Sequence, residues 1–156
     1  MRSRLLLAFA LIGPISLSAG CATETTTSEP AWQSYVEFEQ GLEKEGLDLD
    51  FEPYFTASAY ADVAEADADD LSYVKEMLAY PWYFEETFSH SEKAMPNGAC
   101  LTINGRTDRG DIGSLSIEFL ERNGLKMNDA NLLFVDSMDE LPRQGQCPQE
   151  SRFRMS

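Results

Sequence analysis

The chain has 156 residues, 27 of them acidic and 12 basic, with one histidine and three cysteines, and a net charge of −15 at pH 7. That length suits one domain able to bury a real hydrophobic core. Acidity this strong repels phosphate backbones and excludes nucleic acid as a partner.

Residues 1–20 read as a secretory leader. Arg2 and Arg4 form a basic start, Leu5 to Ile12 is apolar, Gly13-Pro14 breaks any helix, and Ser16, Ser18, Ala19 and Gly20 are small. A basic, then apolar, then small pattern marks a signal peptide, which is set aside from fold reasoning. A membrane-spanning anchor needs about 20 apolar residues, and this run is shorter and interrupted. The stretch Ser18-Ala19-Gly20-Cys21 resembles the lipobox of bacterial lipoproteins, with Ser18 where that motif usually carries a large aliphatic residue. The resemblance implies cleavage before Cys21 and acylation of both its thiol and its new amine. Each buried methylene contributes about 0.8 kcal/mol, so several acyl chains hold firmly where a single one holds marginally. Ala22 after the cysteine implies sorting to the outer membrane, on its periplasmic face. An ordinary cleaved leader followed by an unmodified cysteine is the competing reading.

With Cys21 committed to lipid, Cys100 and Cys147 have one possible pairing, and outside the cytoplasm such a pair is expected to close. Removing the leader takes Arg2 and Arg4 and leaves 10 basic against 27 acidic side chains, net −17. The charge is lopsided: residues 24–92 hold 18 acids against Lys44 and Lys75. That acidic half is expected to be a solvated surface, with steering of cationic partners or collection of divalent ions as the functional alternatives.

Residues 21–29 are expected to be the lipidated cysteine and a threonine-rich tether of roughly 15 Å reach, and residues 30–156 a single domain. The first predicted helix takes Ser28 as cap, Pro30 in its first turn and Gly46 as terminator. Trp32, Tyr35, Val36 and Glu39 share a stripe, with Phe38 and Leu42 beside it. A second helix is predicted over 52–61 from Pro53, and a third over 69–79 with Leu71, Val74 and Leu78 on one face. Residues 99–103 read as a strand turned by Asn104-Gly105-Arg106. In "GSLSIEFLERNGLKM", Leu115, Ile117 and Phe119 alternate with Ser116, Glu118 and Leu120. Asn123-Gly124 supplies a tight hairpin turn, and the return strand covers 125–135 with a bulge at Asn128-Asp129. Helices followed by an antiparallel sheet predict an α+β domain with helices on one sheet face.

"LSIEFLERNGLKM" and "GLDLDFEPYFTASAY" are similar to segments of nuclear-transport-factor-two-like domains, although Leu125 stands where the hairpin of that superfamily often has Trp. The resemblance implies a curved sheet wrapped on helices into a cone with a pocket, a fold that hosts enzymes and plain binding modules alike. Trp32, Tyr35, Trp82, Phe84 and Phe119 are the aromatics expected at that pocket. For Trp82 and Phe84 in "YPWYFEETF" a strand would put both on one side, where core packing competes with a pocket wall.

Chemistry is sparse. Glu65, Asp67, Asp69 and Glu76 mimic a calcium-loop spacing, yet Asp70 occupies the position where the loop needs glycine, so an acidic helix entry is the better reading. Glu85 and Glu86 would diverge on a strand, which disfavours acid–base work. His90 lies between two serines, in what reads as a polar loop, with no triad around it. No catalytic set, metal site or cofactor is expected. The sequence thus points to an envelope lipoprotein that binds a small molecule or another envelope protein. A small pocket enzyme, an isomerase or hydrolase, is the alternative, and an ion-collecting surface protein the third.

Overall fold

The computed structural model describes residues 29–152; the leader, Cys21, the tether to Thr27 and the Ser28 cap lie outside the described residues. The chain is α+β. A helical N-terminal half is followed by a four-stranded antiparallel sheet in sequential order, β1 (Glu86–Met95), β2 (Gly98–Arg106), β3 (Ile112–Glu121) and β4 (Leu125–Val135).

Helix α1 (Pro30–Glu45) buries Ala31, Tyr35, Phe38 and Leu42 and ends at Gly46, whose φ is +60°. The expected stripe is rotated. Tyr35 joins the Phe38–Leu42 pair in the core, while Trp32, Val36 and Glu39 lie half-buried on the flank. No side chain at residue 29 caps the helix; instead Glu92, from β1, accepts a hydrogen bond from the Trp32 N–H at 2.6 Å. A carboxylate there satisfies an orphan donor and complements the helix dipole.

The second helix falls at α2 (Ala61–Glu65), not over 52–61. Residues 52–60 are turns, because tertiary bonds claim their backbone. Phe55 bridges Met127 in parallel, the Met127 N–H bonds Tyr54 O at 2.8 Å, and the Thr56 N–H bonds Met127 O at 2.9 Å. Phe51 and Phe55 enter the core beside Phe38, with ring centroids 5.1 and 5.3 Å from it. Helix α3 (Leu71–Leu78) buries none of its residues fully, and Leu71 is exposed where a shared apolar face was expected. Lys75 ties it down by donating to Leu47 O and Leu49 O, both at 2.8 Å.

The sheet has two unlike faces. Leu101, Ile103, Leu115, Ile117, Phe119 and Met127 are fully buried against the helices. The opposite face carries Cys100, Thr102, Asn104, Ser114 and Ser116, and a C-terminal strap of residues 136–152 covers it, ending in α4 (Pro148–Arg152). Thr102 Oγ1 accepts from the Gln146 N–H at 2.7 Å, Asn104 Nδ2 donates to Pro142 O at 2.8 Å, and Asn131 Nδ2 donates to Ser151 Oγ at 2.8 Å. Cys100 and Cys147 are bridged, with Cα atoms 5.0 Å apart. The Met95 sulfur lies 3.3 and 3.4 Å from the two disulfide sulfurs.

Three strand boundaries differ from expectation. Asn104-Gly105-Arg106 does not turn; β2 runs on to Arg106, and the turn is made by Thr107 to Asp111, closed by the Thr107 N–H on Asp111 O at 3.0 Å. Residues 80–83 form a 3-10 turn rather than a strand, since Pro81 has a fixed φ and no N–H for a ladder. His90 sits within β1 rather than in a loop. The β3–β4 hairpin is as expected: Asn123 and Gly124 have φ of 58° and 109°, and the register slips where Asn128 is inserted between Asp129 and Met127.

Burial pushes the Tyr35 and Tyr80 hydroxyls well above the ordinary phenol range. Glu39 adds to the effect at Tyr35, and Tyr83 and Asp129 add to it at Tyr80. The folded chain therefore holds these protons after the unfolded chain, ionising near about pH 10, would release them. Their contribution is intact below about pH 10 and is lost as pH rises beyond it. Alkaline titration should show these two phenols ionising only together with loss of the far-UV circular dichroism signal. Phenolate absorbance rising for every tyrosine ahead of unfolding would contradict the burial.

Candidate functional site

Of the five aromatics expected at one pocket, Trp32 and Tyr35 stack at 5.6 Å, but the set does not converge on one cavity. Tyr35, Phe84 and Phe119 are 3%, 9% and 0% exposed and belong to the core. Trp32 is half-buried at the β1 side, its ring stacked on His90 at 3.9 Å and 5°, and His90 Nε2 lies 2.9 Å from Glu29 Oε2. Trp82 is 48% exposed. The 3-10 turn explains the split, because it directs Tyr80 inward against Phe55, at 5.9 Å, and Trp82 outward.

Trp82 borders a surface groove of about 340 Å³ at the open end of the helix-facing layer. Two residues absent from the expected set help to build it. Leu132 and Phe134 sit on β4 opposite Leu115 and Gly113, so both share the core face. Phe134 lies at the end of that face and is 54% exposed. Gly105 and Gly113 are register partners on β2 and β3. A Cβ at Gly105 would meet Phe84 Cγ at 2.5 Å, and one at Gly113 would meet Phe134 Cδ1 at 3.2 Å and Phe84 Cε1 at 3.3 Å. Two missing side chains thus let Phe84 and Phe134 close down onto the sheet, Phe84 within the core and Phe134 as a wall of the groove. Tyr83 stands beside Trp82, its hydroxyl donating to Met77 O at 2.5 Å and its pKa raised by burial.

The polar wall comes from the β2–β3 turn, as Thr107, Asp108, Arg109 and Asp111. A neighbouring hollow of about 490 Å³ shares Asp111 and Phe134 and adds Asp136. An apolar floor with a few convergent polar groups is the ordinary make-up of a ligand or partner site. The alternation of "NLLFV" places Phe134 with Leu132, so this wall was readable; that it outruns the core was not.

A third hollow, of about 540 Å³, lies between β1 and the strap, with Lys93, Arg143 and Gln146 among its lining. Its Lys93 and Glu150 pair at 2.5 Å, and nothing apolar and exposed faces it. Of the calcium-like set, Asp67 uses its carboxylate to accept from the N–H groups of Asp69 and Asp70 at 3.1 and 3.2 Å, which is the role of an acidic helix entry. Among the described residues no group of three or more His, Cys, Asp or Glu is placed to hold a metal ion. No described helix is long and apolar enough to cross a membrane. No protein-family model, curated protein or solved structure matches the chain.

Proposed function

We propose that the chain is a lipid-anchored, non-catalytic binding module of the bacterial cell envelope, attached through Cys21 at the periplasmic face of the outer membrane, which takes a partner or small ligand at the Trp82–Phe134 groove. The observation that carries the binding role is the exposure of these two large side chains, 48% and 54%, on the same groove. Singly exposed apolar residues are commonplace, whereas two that line one cavity beside polar groups have the make-up of a binding site. The anchor rests on the leader and on Cys21. Kinship with nuclear-transport-factor-two-like domains rests on the segments "LSIEFLERNGLKM" and "GLDLDFEPYFTASAY" alone.

In cells grown with labelled palmitate, the label should enter the wild-type chain and be lost in Cys21→Ala. A photo-crosslinking residue at position 134 should capture a discrete species that Trp82→Ala abolishes, and one at position 143 should not. Absence of label would overturn the anchor; equal capture from both positions would overturn the groove. The alternative of a pocket enzyme, an isomerase or hydrolase, draws on Asp108, Arg109 and Asp111 sharing the groove wall. Turnover abolished by Asp111→Asn, with capture intact, would select it.

A further inference from the structure

The rim of the groove carries three acids against one base. Asp108, Asp111 and Asp136 line the two joined hollows, and none forms an ion pair among the described residues; Arg109 is the one base in either lining. A neutral apolar partner would desolvate these carboxylates without pairing them, which is costly. An anionic partner would meet both the rim and a chain of net charge −15. A cationic group gains on both counts, and the exposed faces of Trp82 and Phe134 are good cation partners in their own right.

The groove also adjoins an open strand. β4 is the last strand of the sheet, and its outer edge is occupied near Met127 by residues 54–56. From Asn131 to Val135 its ladder is with β3 alone among the described residues, while the Asn131 side chain is held by Ser151 of α4. A free edge is a template for one more strand. Alternate side chains of such a strand face the same side as Leu132 and Phe134, which is the groove side.

We propose that the groove receives a basic, extended segment of a partner protein, which adds to β4 along Asn131–Val135 and places an arginine or lysine between Trp82 and Phe134. This deepens the binding reading above and rests on it. Main-chain pairing supplies attachment, and the acidic aromatic slot supplies selection.

The test uses the full chain in non-ionic detergent with Trp32→Phe, which leaves Trp82 as its sole indole. The probes are acetyl-Arg-Val-Arg-Val-Arg-amide and its glutamate counterpart. Trp82 fluorescence should titrate to saturation with the arginine peptide only. Affinity should fall about tenfold or more when salt rises from about 0.05 to about 0.5 M, and similarly in Asp108→Asn/Asp111→Asn. N-methylation of alternate amides in the peptide should also weaken it. Equal binding of the glutamate peptide, or indifference to both the double variant and N-methylation, would overturn the proposal. If the arginine peptide fails while crosslinking from position 134 persists in cells, the basic-strand assignment falls and the binding module stands; loss of both removes both.

Discussion

Removing the Cys100–Cys147 bridge, by reduction or as Cys100→Ala/Cys147→Ala, is expected to lower the free energy of unfolding by about 4 kcal/mol. The bridge joins positions 47 residues apart, and cross-linking a span of that length removes much disorder from the unfolded chain. The native side of the balance points the same way. The strap covers a face of small polar side chains, where burial of apolar surface contributes little. Its hydrogen bonds from Gln146 to Thr102 and from Asn104 to Pro142 each offer only about 1 kcal/mol net. Four further buried polar atoms at or near this seam, Asn104 Oδ1, Ser114 Oγ, Ser116 Oγ and Gln146 Oε1, have no protein partner. Without the bridge the strap should therefore detach before the helix-packed face does. Urea unfolding with and without reductant measures the total. Hydrogen exchange at the Gln146 N–H, protected through Thr102, should accelerate on reduction while amides of β3 stay slow. A loss under about 1 kcal/mol would mean that the strap holds itself.

The parts legible in the sequence are those where local chemistry and tertiary demand agree. Asn123-Gly124 adopts the positive φ its residues favour, and Leu115, Ile117 and Phe119 alternate because one sheet face meets a deep core. Cysteine arithmetic reached the bridge by setting Cys21 aside for lipid, which left Cys100 and Cys147 to pair. β1 was illegible because "ETFSHSEKAM" has no apolar alternation. His90 and Glu92, placed opposite Ile103 and Leu101, face α1 and meet it through the Trp32 ring and the Trp32 N–H, a polar solution that hydrophobic periodicity cannot register. Residues 52–60 carried a helix-start signal at Pro53, but their backbone was claimed by Met127, more than sixty positions away. The site was half legible. "YPWYFEETF" stands out for its rings, but the strand that would put Trp82 and Phe84 on one side does not form there: a 3-10 turn at Pro81 leaves Trp82 outside while Phe84 is buried. The charged turn "TDRGD" gave no sign of which cavity it would border.

A paired substitution separates core from groove, and its two arms should diverge sharply. Phe119 is fully buried, packed in the layer that holds Phe38, Phe55 and Met127, and Phe119→Ala should cost about 3–5 kcal/mol through lost burial and the cavity left behind. Its carbonyl lies 1.9 Å from where a Cβ on Gly98 would stand, so the backbone on that side is closed in and has little room to collapse into the gap. Trp82 is bonded through its backbone N–H to Ala79 O at 2.9 Å, a contact that survives truncation, and half its side chain already meets solvent. Trp82→Ala should therefore change stability by under about 1 kcal/mol, while abolishing capture from position 134, because a ring that packs against a partner rather than against its own chain matters only when the partner is present. Urea midpoints for both variants, read beside the crosslinking yield, decide the matter. Should Trp82→Ala unfold the domain as readily as Phe119→Ala does, the indole is a core element and the groove loses its main wall. Should Phe119→Ala instead leave stability untouched, the interior is looser than its burial implies, and a pocket on the helix face of the sheet becomes the better place to seek the ligand.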